Sequence, residues 1–313
     1  MEQTSEKRHP VLAGVPMGIG AWSWGDRLVW GYGREYADQD LEDAFQACLA
    51  NGVQLIDTAE SYGQGRSESL IGQFLQAGEQ KVKIATKFMP YPWRLGHGSL
   101  IKALKASLAR LDLPQVDLYQ IHWPLPPLTV QTWMEAMLEA LEAGLIKAVG
   151  VSNYNRSQMQ VAYDTLIHQG VQLASNQVEY NLLNRRVEKN GTLRHCQELG
   201  ITLVAYSPLA MGLLSGKYTP DNPPHGTRGG KYNRKYLQQI QPLLTELRRI
   251  GADHAGKTAA QVALNWVMRK GALPIPGAKN AEQVELNTGA LGWSLSDEDM
   301  ASLDKISDRV TAG

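Results

Sequence analysis

The feature that most constrains the fold is an eightfold alternation of short apolar runs with amphipathic helical segments. Each apolar run is bounded by polar or turn residues, which is typical of a buried parallel strand. The runs lie near residues 17–22, 54–57, 82–86, 117–121, 147–152, 173–178, 202–206 and 272–275. The helical segments follow near residues 38–51, 67–77, 98–111, 129–143, 155–168, 188–199, 258–270 and 280–290. Eight such units predict a (β/α)8 TIM barrel rather than an open sheet.

Signals at the helix ends agree with this alternation. Glycine, the residue best suited to a left-handed C-cap, stands between a helical segment and the next strand at four positions. These positions are Gly52, Gly144, Gly170 and Gly200. Residues of the N-cap type precede several helical runs. They are Ser99, Thr129 and Asn155.

Two stretches interrupt the repeat. Residues 211–257 form a long loop after the seventh predicted strand and contain an extra helical pattern near 236–250. The C-terminal stretch predicts a second added helix, with Ser296 as its N-cap and Asp299 at the third helical position. Because no Pro/Ser linker divides the chain, we expect residues 1–313 to form a single domain.

Composition excludes several classes of protein. The 31 basic and 31 acidic side chains cancel, which gives no electrostatic reason to expect a nucleic-acid or membrane partner. The two cysteines suggest no disulfide framework, and none of the seven histidines forms a His-x-x-x-His pair, so no metal site is expected. The polar N-terminus lacks a signal-peptide core, and no apolar stretch would span a bilayer. We therefore expect a soluble, cytoplasmic protein that is a monomer or weak oligomer.

Polar side chains stand at or just beyond the ends of consecutive predicted strands. Asp57, Lys87 and His122 close the second, third and fourth strands, and Tyr62 follows Asp57 closely. Chemistry in a (β/α)8 barrel lies at the C-terminal rim, where these ends meet. A carboxylate, an ammonium, a phenol and an imidazole brought together there would make a proton-donating site. The next three strands end in further polar or aromatic side chains: Asn153, Gln177 and Tyr206.

These motifs resemble the aldo-keto reductase family over nearly the whole chain. Residues 55–63 read Leu-Ile-Asp-Thr-Ala-Glu-Ser-Tyr-Gly. They are followed in order by Ala-Thr-Lys, His-Trp-Pro, Gly-Val-Ser-Asn-Tyr, Asn-Gln-Val-Glu-Tyr-Asn, Tyr-Ser-Pro-Leu and Ile-Pro-Gly-Ala-Lys. The four catalytic positions of the family match Asp57, Tyr62, Lys87 and His122 without substitution.

The resemblance implies reduction of an aldehyde or ketone to an alcohol. Tyr62 would donate the proton as general acid, and Lys87 would stabilise the phenolate that remains. Asp57 would keep Lys87 charged and in place, while His122 would orient the carbonyl and help to relay the proton. The hydride must come from a cofactor.

That cofactor is implied to be NADP(H), lying across the barrel mouth. Ser152, Asn153 and Gln177 would bind the nicotinamide carboxamide, and Tyr206 would stack on its ring. The complete set of cofactor positions is Gly20, Ala21, Trp22, Asp57, Ser152, Asn153, Gln177, Tyr206, Ser207, Leu209, Gly212, Leu214, Ser215, Lys217, Gly277, Lys279, Gln283 and Asn287. The segment that contains Ser207 to Lys217 would follow the pyrophosphate. An insertion such as residues 218–235 would order when the cofactor binds.

The choice of NADPH over NADH depends on the last helical segment. Lys279 stands at its start, where a cation and a helix N-terminus suit the adenosine 2′-phosphate. Many family members carry an additional arginine at the position of Gln283 and a glutamate at that of Leu286. These departures weaken the predicted phosphate site. The sequence therefore favours NADPH as the cofactor but leaves NADH open.

The predicted substrate pocket is aromatic. Several aromatic residues lie in segments that lead to the catalytic rim: Trp22, Trp24, Trp30, Tyr32, Trp93 and Trp123. Of these, Trp22 and Trp123 flank motif positions and are expected to contact substrate together with Tyr62 and His122. Residues 24–32 are similar to those of plant and cyanobacterial members, some of them pyridoxal-reductase-like, which makes pyridoxal one candidate substrate.

Two alternatives stay open. The first is a nonenzymatic or regulatory NADP(H)-binding protein on the same fold, since such proteins can retain the four catalytic residues. The second is an unrelated barrel enzyme, such as a metal-dependent hydrolase, which would need clustered His and Asp ligands at the strand ends.

Overall fold

The computed structural model describes residues 8–76, 82–224, 230 and 232–311. Its eight strands form one sheet in sequential order, and every neighbouring pair is parallel. They are β1 (Ile19–Gly20), β2 (Leu55–Asp57), β3 (Lys83–Phe88), β4 (Leu118–Ile121), β5 (Val149–Ser152), β6 (Leu173–Glu179), β7 (Thr202–Tyr206) and β8 (Leu273–Ile275). Gly18 N donates to Pro274 O at 3.1 Å and Gly20 N to Pro276 O at 3.0 Å, so the first strand also meets the last.

The helices surround this ring of strands. They are α1 (Asp38–Ala50), α2 (Arg66–Gln76), α3 (His97–Leu111), α4 (Val130–Glu142), α5 (Arg156–Ile167), α6 (Arg186–Lys189), α7 (Thr192–Leu199), α8 (Arg234–Asp253), α9 (Ala259–Arg269), α10 (Ala281–Thr288) and α11 (Asp297–Thr311). The predicted (β/α)8 TIM barrel is confirmed. No helix among the described residues is long and apolar enough to cross a membrane.

Two predicted elements have different bounds. The first strand, expected near 17–22, contains only two residues because the backbone turns at once, with Trp24 N donating to Ala21 O at 3.0 Å. The helix expected near 188–199 is divided into α6 and α7. Gly191 has φ +76° there, and Thr192 N donates to the Asn190 side chain at 3.0 Å, which interrupts the helical hydrogen bonds.

The predicted helix ends are mostly correct. Thr129 accepts from Thr132 N at 3.1 Å and Asn155 from Gln158 N at 2.9 Å, so both are N-caps. Ser99 is not an N-cap, because α3 begins two residues earlier and the Ser99 hydroxyl donates to Gly96 O. The four predicted helix-terminating glycines all have positive φ, between +69° and +72°.

Both added helices are present. The extra helix of the long loop is α8, and α11 follows Ser296, whose hydroxyl accepts from Asp299 N at 3.1 Å. The two helices contact each other, with Ser302 donating to Glu246 at 2.6 Å. Within the predicted insertion 218–235, residues 225–229 and 231 lie outside the described residues.

The N-terminal segment covers one end of the barrel. Leu12 and Val15 are buried against residues at the starts of the strands, among them Leu55, Leu118 and Leu273. This apolar packing fills the N-terminal end of the barrel. The opposite end, where the strands finish, remains available for a site.

Candidate active site

A cavity of about 980 Å³ lies at the C-terminal ends of the strands. All four predicted substrate residues line it: Trp22, Tyr62, His122 and Trp123. Every predicted cofactor residue lines it as well, except Ala21 and Leu214. Those two side chains are fully buried in the hydrophobic core, so they can act on a ligand only through their backbone.

Asp57, Lys87 and Tyr62 form a connected group, of which Asp57 and Tyr62 line the cavity while Lys87 does not. The ammonium of the fully buried Lys87 makes an ion pair with Asp57 and donates to Thr58 O at 2.8 Å. It also donates to the Tyr62 hydroxyl at 3.4 Å. Adjacent parallel strands produce this arrangement, since Asp57 ends β2 and Lys87 lies near the end of β3.

A glycine fixes the turn that carries Tyr62. Gly63 has φ +54°, and a Cβ atom there would lie 2.7 Å from Gly25 O. Only glycine tolerates both this backbone conformation and this close approach. The loop after β1 therefore packs directly on the turn, and this contact holds the phenol over Lys87.

The protonation states of this group suit proton donation. Burial raises the pKa of Tyr62 above its usual value, and the Lys87 charge opposes that increase only in part. For Lys87, burial alone would lower the pKa, but the interactions with Asp57 and Tyr62 together outweigh it and the pKa is raised. The lysine is therefore charged and the phenol protonated at neutral pH.

His122 completes the four predicted catalytic positions. Its backbone N donates to Phe88 O at 2.9 Å, and its ring centroid lies 5.7 Å from that of Tyr62. Burial, with a smaller contribution from the Lys87 charge, lowers the pKa of His122 to about 3. The imidazole is therefore neutral at physiological pH. Its Nδ1 lies 3.5 Å from the Ser61 hydroxyl, and when Ser61 donates in this contact, Nε2 carries the ring proton.

Two glutamine side chains hold the other oxygen of Asp57. Gln120 donates to Asp57 Oδ1 at 3.0 Å and Gln177 donates to the same oxygen at 2.8 Å. Gln120 was not among the residues predicted from the sequence. The available signal was a polar residue inside the apolar run of β4, where a buried amide requires partners.

A chain of hydrogen bonds crosses the ends of β5, β6 and β7. Tyr206 donates to Asn153 Oδ1 at 3.1 Å, and Asn153 Nδ2 donates to His122 O at 3.1 Å. Ser152 donates to Gln177 O at 2.9 Å. Burial, assisted by the Glu179 charge, raises the pKa of Tyr206 to about 12. The predicted nicotinamide residues are therefore brought together and connected to the catalytic group.

The loop after β7 supplies a second part of the cavity wall. A 3₁₀ segment spans Ala210–Ser215, with φ +55° at Met211 and +93° at Gly212. Lys217 follows it and is exposed, which leaves its ammonium able to reach an anion in the cavity.

The start of α10 forms the remaining wall. Lys279 donates to Trp30 O at 2.7 Å and lies 3.2 Å from Glu35 Oε2. Gln283 accepts from Lys279 N at 3.0 Å, and Asn287 donates to Gly277 O at 3.3 Å. The two amides thus support the turn between β8 and α10.

The six predicted pocket aromatics separate into two groups. Trp22, Trp30 and Trp123 line the cavity. The other three do not. Trp24 is fully buried, with its indole donating to Ala278 O at 2.8 Å, and Tyr32 hydrogen-bonds Asp38, while the exposed Trp93 stacks on Tyr91. Among the described residues, no group of three or more His, Cys, Asp or Glu side chains could hold a metal ion.

Comparison with known proteins agrees with this geometry. The model of the Aldo/keto reductase family matches residues 16–308. The chloroplastic pyridoxal reductase of Arabidopsis thaliana is 43% identical over 306 residues, which cover 94% of this chain and 83% of that protein. The methylglyoxal reductase YeaE of Escherichia coli K12 is 33% identical over 278 residues, 88% of each chain.

A solved structure shows the same likeness. The aldo-keto reductase of Klebsiella pneumoniae, crystallised in complex with NADPH, superposes with a TM-score of 0.72 at 30% identity, covering 93% of this chain and 90% of that one. The chain therefore belongs to the aldo/keto reductase family, a family of oxidoreductases.

Proposed function

We propose that this protein reduces aldehydes and ketones to alcohols with NADPH, and that Tyr62 is the general acid. The observation that carries the proposal is the buried Asp57–Lys87 ion pair, which reaches the Tyr62 hydroxyl at the floor of the large cavity. Family membership supports carbonyl reduction, and the NADPH complex of the Klebsiella relative supports the choice of cofactor.

The residues around the cavity fit a nicotinamide dinucleotide. Its volume, about 980 Å³, is at the upper end of the usual range for ligand sites. Hydrogen-bonding side chains stand beside Tyr62, and two cations, Lys217 and Lys279, line other parts of the wall. Ser152, Asn153 and Gln177 would hold the carboxamide, Tyr206 would lie against the ring, and the lysines would meet the phosphates. When bound, this cofactor supplies the hydride.

The protein residues would supply the proton and the orientation. Tyr62 donates its hydroxyl proton to the carbonyl oxygen as negative charge develops there, and the resulting phenolate remains next to the charged Lys87. Asp57 holds the ammonium in place through the ion pair. His122, whose pKa is lowered to about 3, acts as a neutral hydrogen-bond donor that positions the carbonyl, not as a cationic acid.

Pyridoxal is the candidate substrate that we favour within this class. Trp22 and Trp123 line the cavity and are 36% and 40% exposed, so two indole faces are accessible to a planar ring. The Arabidopsis relative with 43% identity is a pyridoxal reductase. Both observations support pyridoxal as a substrate.

The test is to follow oxidation of NADPH with pyridoxal, methylglyoxal and 4-nitrobenzaldehyde, with NADH in parallel. We expect turnover with at least one aldehyde, and a pH profile without an inflection near the usual pKa of histidine. Because the pKa of Tyr62 is raised, reduction should decline only at alkaline pH, above the usual tyrosine value of about 10. Tight NADPH binding with no turnover on any aldehyde would favour the regulatory alternative.

A further inference from the structure

The loop between β1 and α1 already supplies partners to Lys279. The ammonium of Lys279 donates to Trp30 O at 2.7 Å and lies 3.2 Å from the Glu35 carboxylate. It also stands over the ring of Tyr36, 4.5 Å from the centroid. A residue 244 positions away in sequence therefore provides its counter-ion.

The conformation of the loop between β1 and α1 places the Glu35 carboxylate next to Lys279. Asp26 Oδ1 accepts from Val29 N at 2.7 Å and from Trp30 N at 3.2 Å, which orders the start of the loop. Glu35 N then donates to Gly31 O at 2.9 Å. A Cβ atom on Gly31, where φ is +76°, would lie 2.9 Å from Glu35 Cδ. The missing side chain of this glycine therefore leaves the space through which Glu35 reaches Lys279.

We propose that Glu35 is a specificity residue that weakens the preference for NADPH over NADH. This inference rests on the proposed function, in which Lys279 meets the adenosine 2′-phosphate. The carboxylate and the phosphate require the same ammonium, so NADPH must displace or share the Glu35 contact. NADH carries no 2′-phosphate and does not compete with Glu35. The loop thus reduces the advantage that Lys279 gives to NADPH.

Other charges of the cavity provide the control. Asp40 and Glu282 line the same cavity, so the wall carries carboxylates besides Glu35. Glu282 lies in the first turn of α10, close to Lys279 in sequence. Glu282→Gln removes the same charge as Glu35→Gln but leaves the Glu35–Lys279 contact in place.

The experiment measures the Kd of NADPH and NADH by quenching of tryptophan fluorescence at low salt, without an aldehyde. For Glu35→Gln we expect the Kd of NADPH to fall by roughly two- to fivefold, which corresponds to the free energy of an exposed ion pair. The Kd of NADH should not change. The Glu35 side chain is 64% exposed, so the variant should fold normally. Glu35→Gln should likewise tighten the binding of 2′,5′-ADP and leave that of 5′-AMP unchanged. Added salt should reduce the effect on 2′,5′-ADP.

Two further variants make the test specific. Glu282→Gln should leave the ratio of the NADPH and NADH affinities unchanged. In a Lys279→Met background, Glu35→Gln should lose its effect, because the two residues would act through one contact. The inference would be overturned if Glu35→Gln tightened the binding of NADPH and NADH equally, or if Glu282→Gln changed the affinity ratio as Glu35→Gln does. Either result would indicate a nonspecific effect of removing one negative charge from the cavity.

The failure of this inference can be separated from that of the proposed function. If the unmodified protein binds neither cofactor, both ideas fail. If it binds NADPH and reduces aldehydes while Glu35→Gln leaves the affinity ratio unchanged, only the role of Glu35 is lost.

Discussion

Two sides of the same cavity are built in different ways. The catalytic side, named for its proposed role, consists of Asp57, Lys87, Tyr62 and His122. These residues lie on or just after strands β2 to β4. Lys87 is fully buried and Asp57 nearly so. The phosphate side, also named for its proposed role, consists of Lys217 and Lys279, both on connecting segments. Lys217 is exposed, and the counter-ion of Lys279 is itself mostly exposed.

The difference matches the roles that we propose for the two sides. Proton transfer requires charges that stay in place in a dry environment, where a buried ion pair and its hydrogen bonds are strong. Binding a dinucleotide requires charges that can exchange water and protein partners for phosphate. We therefore expect substitutions on the catalytic side to change turnover or stability, and substitutions on the phosphate side to change cofactor affinity.

The largest expected effect is that of Tyr62→Phe. Removing the hydroxyl removes the general acid, so turnover with an aldehyde should fall by roughly 10²- to 10⁴-fold. The Kd of NADPH should change little, because the ring remains. Steady-state kinetics and fluorescence titration measure the two quantities. Unchanged turnover would refute the assignment of the proton donor.

Lys87→Met should reduce both activity and stability. It leaves the Asp57 carboxylate buried without its cation, and breaking such a pair costs about 3–5 kcal/mol in free energy of unfolding. Urea denaturation measures this cost. The double variant Asp57→Asn/Lys87→Met should recover much of the stability but none of the activity, which would separate the structural role of the pair from its chemical role.

Gln120→Met tests whether the catalytic side depends on residues outside the cavity. Loss of the hydrogen bond to Asp57 should lower kcat roughly tenfold, because the carboxylate that holds Lys87 in place loses one of its two amide donors. The Kd of NADPH should be unchanged. Gln177→Met is the comparison, since Gln177 also lines the cavity and its loss should weaken cofactor binding too. An unchanged kcat in Gln120→Met would argue for a packing role only.

The smallest effect is expected on the phosphate side. Lys279→Met should raise the Kd of NADPH by about fivefold, which corresponds to the free energy of one partly exposed ion pair. The kcat should stay unchanged. NADH binding should be affected much less. Lys217→Met is the matched control. Loss of a lysine that meets the pyrophosphate should weaken the binding of NADPH and of NADH equally. A loss of kcat in either variant would contradict the division between the two sides.

The barrel and the assembly of the proposed catalytic residues at its C-terminal end were largely predictable from local patterns. The apolar runs of 54–57, 82–86 and 117–121 end at Asp57, Lys87 and His122, and parallel strands bring such ends together in any (β/α)8 barrel. The division of the helix near 188–199 was missed although the sequence carries a signal for it, because Asn190-Gly191 is a turn dipeptide that disfavours a continuous helix. Ser99 was misread for a different reason, since an N-cap depends on where the preceding turn places the first free backbone N–H.

The sequence by itself determined the fold class and predicted the candidate reacting groups, because both depend on residue types at fixed local spacing. Only the tertiary structure decided the protonation states of these groups and the residues that they contact. It placed Gln120 against Asp57, kept His122 neutral, and moved Trp24 and Tyr32 from the pocket into the interior. It also brought Glu35 to Lys279. The physical reason is that burial and charge pairing arise between residues far apart in the chain, and local patterns carry no information about those distances.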